Sequence, residues 1–136
     1  MKKILLLILT LPLCFYSNAQ SIKSGQPCVS AMIGNNGEIE GTTGVAVGYI
    51  TTNGTIENAS HATIGYILSN DTIENAVHNI VGYLTANGTV LDANHATLGN
   101  IKDDGTVLDA NQNILGRAGT AKKIWAAVDY FFFSFS

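Results

Sequence analysis

The stretch Gly48–Ile64, GYITTNGTIENASHATI, is followed at once by Gly65–Val81, GYILSNDTIENAVHNIV, and then by Gly82–Leu98, GYLTANGTVLDANHATL. Aligned on their turns, these stretches keep a period of 17 residues without a gap. Asn36-Gly37, Asn53-Gly54, Asn70-Asp71, Asn87-Gly88 and Asp104-Gly105 fall in register, and so do Gly48, Gly65, Gly82, Gly99 and Gly116. Five copies therefore run from about Ala31 to Leu115. A fixed short period dictates architecture, because no single copy buries its own apolar face.

Each copy reads as two short strands. Thr63–Ile67 and Gly54–Asn58, with their equivalents, are rich in β-branched and aromatic residues. Between the strands stands x-x-Asn-Gly, a strong hairpin signal that predicts a type I′ turn with positive φ at both central residues. Gly37, Gly54, Gly88 and Gly105 are the structural turn glycines of this pattern. Two strands of about five residues, each about 17 Å long, fill the repeat and leave no room for an ordinary helix.

Apolar residues recur just as regularly. Ile39, Ile56, Ile73, Val90 and Val107 occupy the middle of one strand. Val47, Ile64, Val81, Leu98 and Leu115 precede the repeated Gly, which removes a side chain where backbones or rings must approach closely. The expected fold is all-β: five 17-residue β-hairpin repeats around a central axis, closed by N- and C-terminal strands. In that scheme Ile124 and Trp125 belong to a partial sixth copy that pairs with Ala31-Met32-Ile33. A short β-solenoid is the alternative, although hexapeptide coils favour 18 residues, about three sixes, over this period.

The pattern G-x-I-x-x-N/D-G-T-I/V-x-D/N-A-x-x-x-I-G, carried most fully by Ile101–Gly119, resembles that of the five-fold beta-flower proteins of bacteria. The likeness covers Ala31 to the C-terminus; Asp71 replaces a turn Gly, and the first copy departs at EGTTGVA. The resemblance implies a fold and brings no active-site residues with it.

Residues 1–19 read as an export signal: Lys2 and Lys3, the apolar run Ile4–Leu13, then Ser17-Asn18-Ala19 before cleavage at Gln20. Leu13 stands before Cys14 where a lipidation box wants a small residue, so acylation is not expected. The predicted product is periplasmic or extracellular, with residues 20–30 as a lead-in and 31–136 as one domain that includes the aromatic tail Val128–Ser136. That tail is too short for a membrane-spanning helix and is expected to close or cover the core. Losing two leader lysines makes the formal charge of −3 more negative by two. Lys and Arg are absent between Lys23 and Lys102, which argues against a nucleic-acid partner. Cys28, alone after cleavage, forms no internal disulfide.

Four columns are candidates for chemistry. His61, His78 and His95 share one position and would be a metal site if they converged. Gly44 and Gln112 hold that position in the other copies, so the expected role is a left-handed turn residue. Tyr49, Tyr66 and Tyr83 align as a ligand-binding strip if exposed and as core if buried, and core is the expected reading. Glu40, Glu57 and Glu74 read as an outward strand face, with Leu91 and Leu108 in the remaining copies. Thr55, Thr72, Thr89 and Thr106 read as ordinary strand residues. The adjacent pair Ser60-His61 recurs as Val77-His78 and Asn94-His95, so it is not a nucleophile and its base. The functional expectation is an exported, non-catalytic module without a cofactor that binds a surface glycan or an envelope protein. A metal-binding protein or enzyme built on the three histidines, and a purely structural envelope protein, are the alternatives.

Overall fold

The computed structural model describes residues 32–135. Cys14, the Gln20 cleavage point, Cys28 and Ala31 lie outside the described residues. Eleven strands follow in order: β1 (Met32–Ile33), β2 (Glu38–Glu40), β3 (Ala46–Ile50), β4 (Thr55–Asn58), β5 (Thr63–Ile67), β6 (Thr72–Asn75), β7 (Ile80–Leu84), β8 (Thr89–Asp92), β9 (Thr97–Ile101), β10 (Thr106–Asp109) and β11 (Ile114–Arg117). Each pairs antiparallel with its sequence neighbours in one sheet, a continuous meander. Stacked solenoid coils would pair equivalent strands in parallel, so the coil alternative is excluded.

The turns differ from the expected type I′. Gly54 donates its N–H to the carbonyl of Thr51 at 3.0 Å, and Thr51 donates to the carbonyl of Thr55 at 2.9 Å. In each turn only the last loop residue takes a positive φ: 89° at Gly37, 92° at Gly54, 91° at Gly88 and 89° at Gly105. This is a three-residue loop, a type I turn followed by one left-handed residue. A right-handed residue before the Gly lets its side-chain oxygen accept the amide two positions on, as Asn36 does from Glu38 at 3.1 Å and Asp104 from Thr106 at 2.9 Å. Asp71 takes the glycine's place with φ 62°.

Every repeat also carries a bulge that the pattern did not announce. Ile39 faces Gly48 and Glu40 faces Ala46, so Val47 is the extra residue. Ile64, Val81, Leu98 and Leu115 are extra in the same way. A bulge bends and twists its strand. Five bulges in register therefore curl the sheet while these apolar residues pack against the core.

The C-terminal segment is the correction to the closing-strand expectation. Lys123–Ala127 forms helix α1, and Val128–Phe132 continues it as a wider π-type turn. β1 and β11 stay at opposite ends of the strand order. The physical reason is backbone accounting. A segment inside a curled sheet has no strand edge to pair with, whereas a helix satisfies its own N–H and C=O groups. Trp125, Ala126, Ala127 and Val128 are buried there, with Ile39, Ile56, Ile73, Val90 and Val107 fully buried around them.

The repeated glycines show where the tail goes. A Cβ on Gly99 would lie 2.6 Å from the Phe131 ring, and one on Gly65 would lie 2.5 Å from Phe133. Gly82 stands against Phe132 and Gly48 against Phe135 in the same manner. The hydroxyl of Tyr130 reaches the carbonyl of Arg117, beside Gly116, at 3.5 Å. The tail thus meets successive hairpins in reverse chain order. So short a segment touches them all only because the sheet curls around it.

Candidate functional site

On the convex side of this sheet, two columns that the sequence offered separately form one feature. Pleating turns alternate residues to opposite faces. With Gly48, Gly65 and Gly82 facing the tail, Tyr49, Tyr66 and Tyr83 face outward. This corrects the expectation of core tyrosines: they are half-buried and stand outside the buried cluster.

The histidines reach them through the second connection of each repeat. Asn58 Oδ1 accepts the N–H groups of Ser60 and Ala62, both at 3.0 Å, and His61 N–H donates to the Asn58 carbonyl at 3.0 Å. The turn closes with a left-handed residue: φ is 65° at His61, 67° at His78 and 68° at His95. Gln112 at 71° and Gly44 at 81° hold the same conformation. From this point the imidazole folds back over the strand. His61 stacks on Tyr49 with ring centroids 4.2 Å apart, and His78 on Tyr66 and His95 on Tyr83 at 4.5 Å.

A carboxylate completes two of the three stacks. His61 Nδ1 lies 2.9 Å from Glu57 Oε1, and His78 Nδ1 lies 2.9 Å from Glu74 Oε2. Glu57 and Tyr49 are direct cross-strand partners, as are Glu74 and Tyr66. In the third stack Leu91 faces Tyr83, and His95 keeps only the ring contact. When the carboxylate accepts Nδ1–H, the tautomer leaves Nε2 as an acceptor turned to solvent. Side-chain exposure is 63% at His61 and 65% at His78, so these are open surface groups. Chemically the strip presents flat rings bordered by carboxylates and amides, suited to stacking and hydrogen bonding with a partner.

The three histidines do not meet. Each belongs to its own hairpin and its own Tyr, and among the described residues no three His, Cys, Asp or Glu side chains converge as a metal site would need. Exposed Val45, Val77 and Ile114 stand on the same connections as Gly44, His78 and Gln112.

The pairing of the columns was missed, yet the sequence held a signal for it. The copies with Tyr49, Tyr66 and Tyr83 are the ones with His61, His78 and His95, whereas Met32 goes with Gly44 and Asn100 with Gln112. Two positions that change together within one chain point to contact. A family model described as 5-fold beta-flower protein matches residues 19–134. Neither the curated proteins nor the solved structures contain a match.

Proposed function

The chain belongs to the 5-fold beta-flower family, and from that premise we propose that it is an exported, non-catalytic binding module that engages a surface glycan or an envelope protein through its convex face. The carrying observation is the row of three outward Tyr–His stacks. A stack held by a turn at one side and a strand at the other is rigid before any partner arrives, which lowers the ordering cost of binding. The exposed Val77 beside His78 adds apolar contact to the strip, with exposed Val45 and Ile114 on the connections at its two ends. A non-catalytic role fits the setting of the imidazoles, on an open face rather than in a cleft. Export rests on the order of basic, apolar and small residues in positions 1–19.

The test is a thermal-melt screen of residues 20–136 against envelope polysaccharides, zinc and calcium. A partner present at about a hundredfold excess over its Kd stabilises the fold by about 2.7 kcal/mol. A polysaccharide shift lost in the triple Tyr49→Ser, Tyr66→Ser, Tyr83→Ser variant is the expected result. A zinc shift lost instead in the triple His→Gln variant would overturn the reading in favour of metal chemistry.

A further inference from the structure

At the opposite end of the hairpins, where α1 enters the curled sheet, a groove of about 400 Å³ opens between two hairpin tips and the start of the helix. One wall is the turn Thr51–Gly54, the other is the turn after β5, and Lys122 and Trp125 form the third side. One of its walls is the turn in which Asp71 stands in place of Gly. The C-terminal segment breaks the symmetry. Near Gly37 the Trp125 ring fills the space, 3.5 Å from where a Cβ would stand. Near Gly88 the Lys123 ammonium does so, held by Asp103 at 2.5 Å. Between the second and third tips Trp125 forms one side without filling the gap, and space remains.

The lining selects a class of ligand. Ile67, Leu68 and Ile124 supply apolar surface beside the indole. Around it stand the hydroxyls of Thr52 and Ser69 and the amide of Asn53. Lys122 and Asp71 bring opposite charges to the same groove, so neither an anion nor a cation is favoured throughout. Lys122 Nζ already lies over the indole, 4.9 Å from its centroid. Its volume falls in the range of about 300–1,000 Å³ usual for small-ligand sites, and its lining mixes apolar with neutral polar residues. A sugar has the matching form, C–H groups on one face of the ring and hydroxyls at its edge.

We propose that this groove is a second binding site, separate from the convex Tyr–His strip, and that it takes an uncharged disaccharide segment of a glycan. It stands on its own lining and does not depend on the strip.

Trp125 is the single tryptophan of the chain and lines the groove from an otherwise buried position, so its fluorescence reports on the groove and the adjoining core, and calorimetric heat separates the two. The experiment titrates the mature protein with cellobiose, maltose, lactose and N,N′-diacetylchitobiose, following tryptophan emission and calorimetric heat. A uronic-acid disaccharide serves as the charged control. The expected result is a saturable emission change with at least one neutral disaccharide. Ser69→Tyr, which blocks the groove from an exposed turn, weakens it roughly tenfold or more, and Thr52→Tyr does so from the facing wall. Asn111→Ala, on an exposed turn outside both the groove and the Tyr–His strip, leaves it unchanged. A response to the uronic-acid disaccharide alone would overturn the proposal, as would silence in both emission and heat across the neutral panel. Binding that survives both groove variants and disappears with the three tyrosines would also overturn it, while leaving the convex-face reading intact.

Discussion

Gly48 and Tyr49 are neighbours in β3, yet their columns obey different rules. The inward column is Gly five times over, at Gly48, Gly65, Gly82, Gly99 and Gly116. Beside these glycines the outward column holds Tyr49, Tyr66 and Tyr83, then Asn100 and Arg117. The inward position meets a ring of the tail, and in most copies the backbone of the next strand as well. The outward position meets only side chains beside it on the open face: a turn residue for each Tyr, Thr89 for Asn100 and Thr106 for Arg117. Repetition is thus strict where a single non-repeated segment must fit every copy, and relaxed on the open face, where neighbours can change together.

The strongest way to break this contrast is to remove the tail. Deleting residues 130–136 takes away the rings of Tyr130, Phe131, Phe132, Phe133 and Phe135. These rings are partly buried, so each contributes at most about 1.5–3 kcal/mol, and their summed loss is still a large part of a typical folding stability of about 5–15 kcal/mol. The expected outcome is loss of amide dispersion in NMR spectra. A truncated chain with native dispersion would show that the sheet curls without its centre.

A sharper test separates ring from backbone. Gly82→Ala places its Cβ against Phe132 and also 2.5 Å from the Leu91 carbonyl oxygen. Gly48→Ala presses chiefly on Phe135, with the Glu57 carbonyl oxygen more distant at 3.1 Å. Each substitution is expected to cost about 2–3 kcal/mol in urea unfolding. Adding Phe135→Ala should restore part of the Gly48→Ala loss, while Phe132→Ala should not rescue Gly82→Ala. Equal rescue in both cycles would mean that ring contact alone enforces the glycines.

On the outward side the same measurement should give less. Tyr66→Ala removes one stack and is expected to cost about 1 kcal/mol. His78→Gln borrows the residue that Gln112 already shows to be tolerated at this left-handed position, and should cost less still.

The smallest effect concerns acid. The Thr106 amide, first among its contacts, holds the Asp104 carboxyl below its ordinary value, and the Asn113 amide does the same for Asp109. Both carboxyls are depressed in the folded chain. Their contribution to stability is therefore present above the unfolded value of about 3.9 and lost as the pH falls through the lower folded value. Asn36 and Asn58 make the equivalent contacts with an amide oxygen that does not titrate. The double variant Asp104→Asn, Asp109→Asn should accordingly flatten the fall in melting temperature below about pH 4. An unchanged acid slope would show that these carboxylates do not set it.

Much of this molecule was legible in its sequence. The period located every strand and turn, and the αL position of His61, His78 and His95 followed from Gly and Gln standing in the same slot. The repeated Gly read as a place where backbones or rings approach closely, and both do: the rings of the tail and the carbonyls of the next strand. Less legible was the bulge at Val47 and its equivalents, because an inserted residue leaves no mark in a one-dimensional pattern. The type I′ turn was misjudged because Asn-Gly is compatible with two loop lengths, and the side-chain hydrogen bond of Asn decides between them.

By itself the sequence determined the repeat, its strands and turns and the residues that must be buried, since these depend on contacts made within or between adjacent copies. Tertiary structure alone decided that the tail enters as a helix rather than a closing strand, that Tyr49 faces out beside His61, and that a groove opens between the second and third hairpin tips. Each of those outcomes turns on register and bulging, where a shift of one residue exchanges the two faces of a strand, and on how a single unrepeated segment fills the centre of a repeated one.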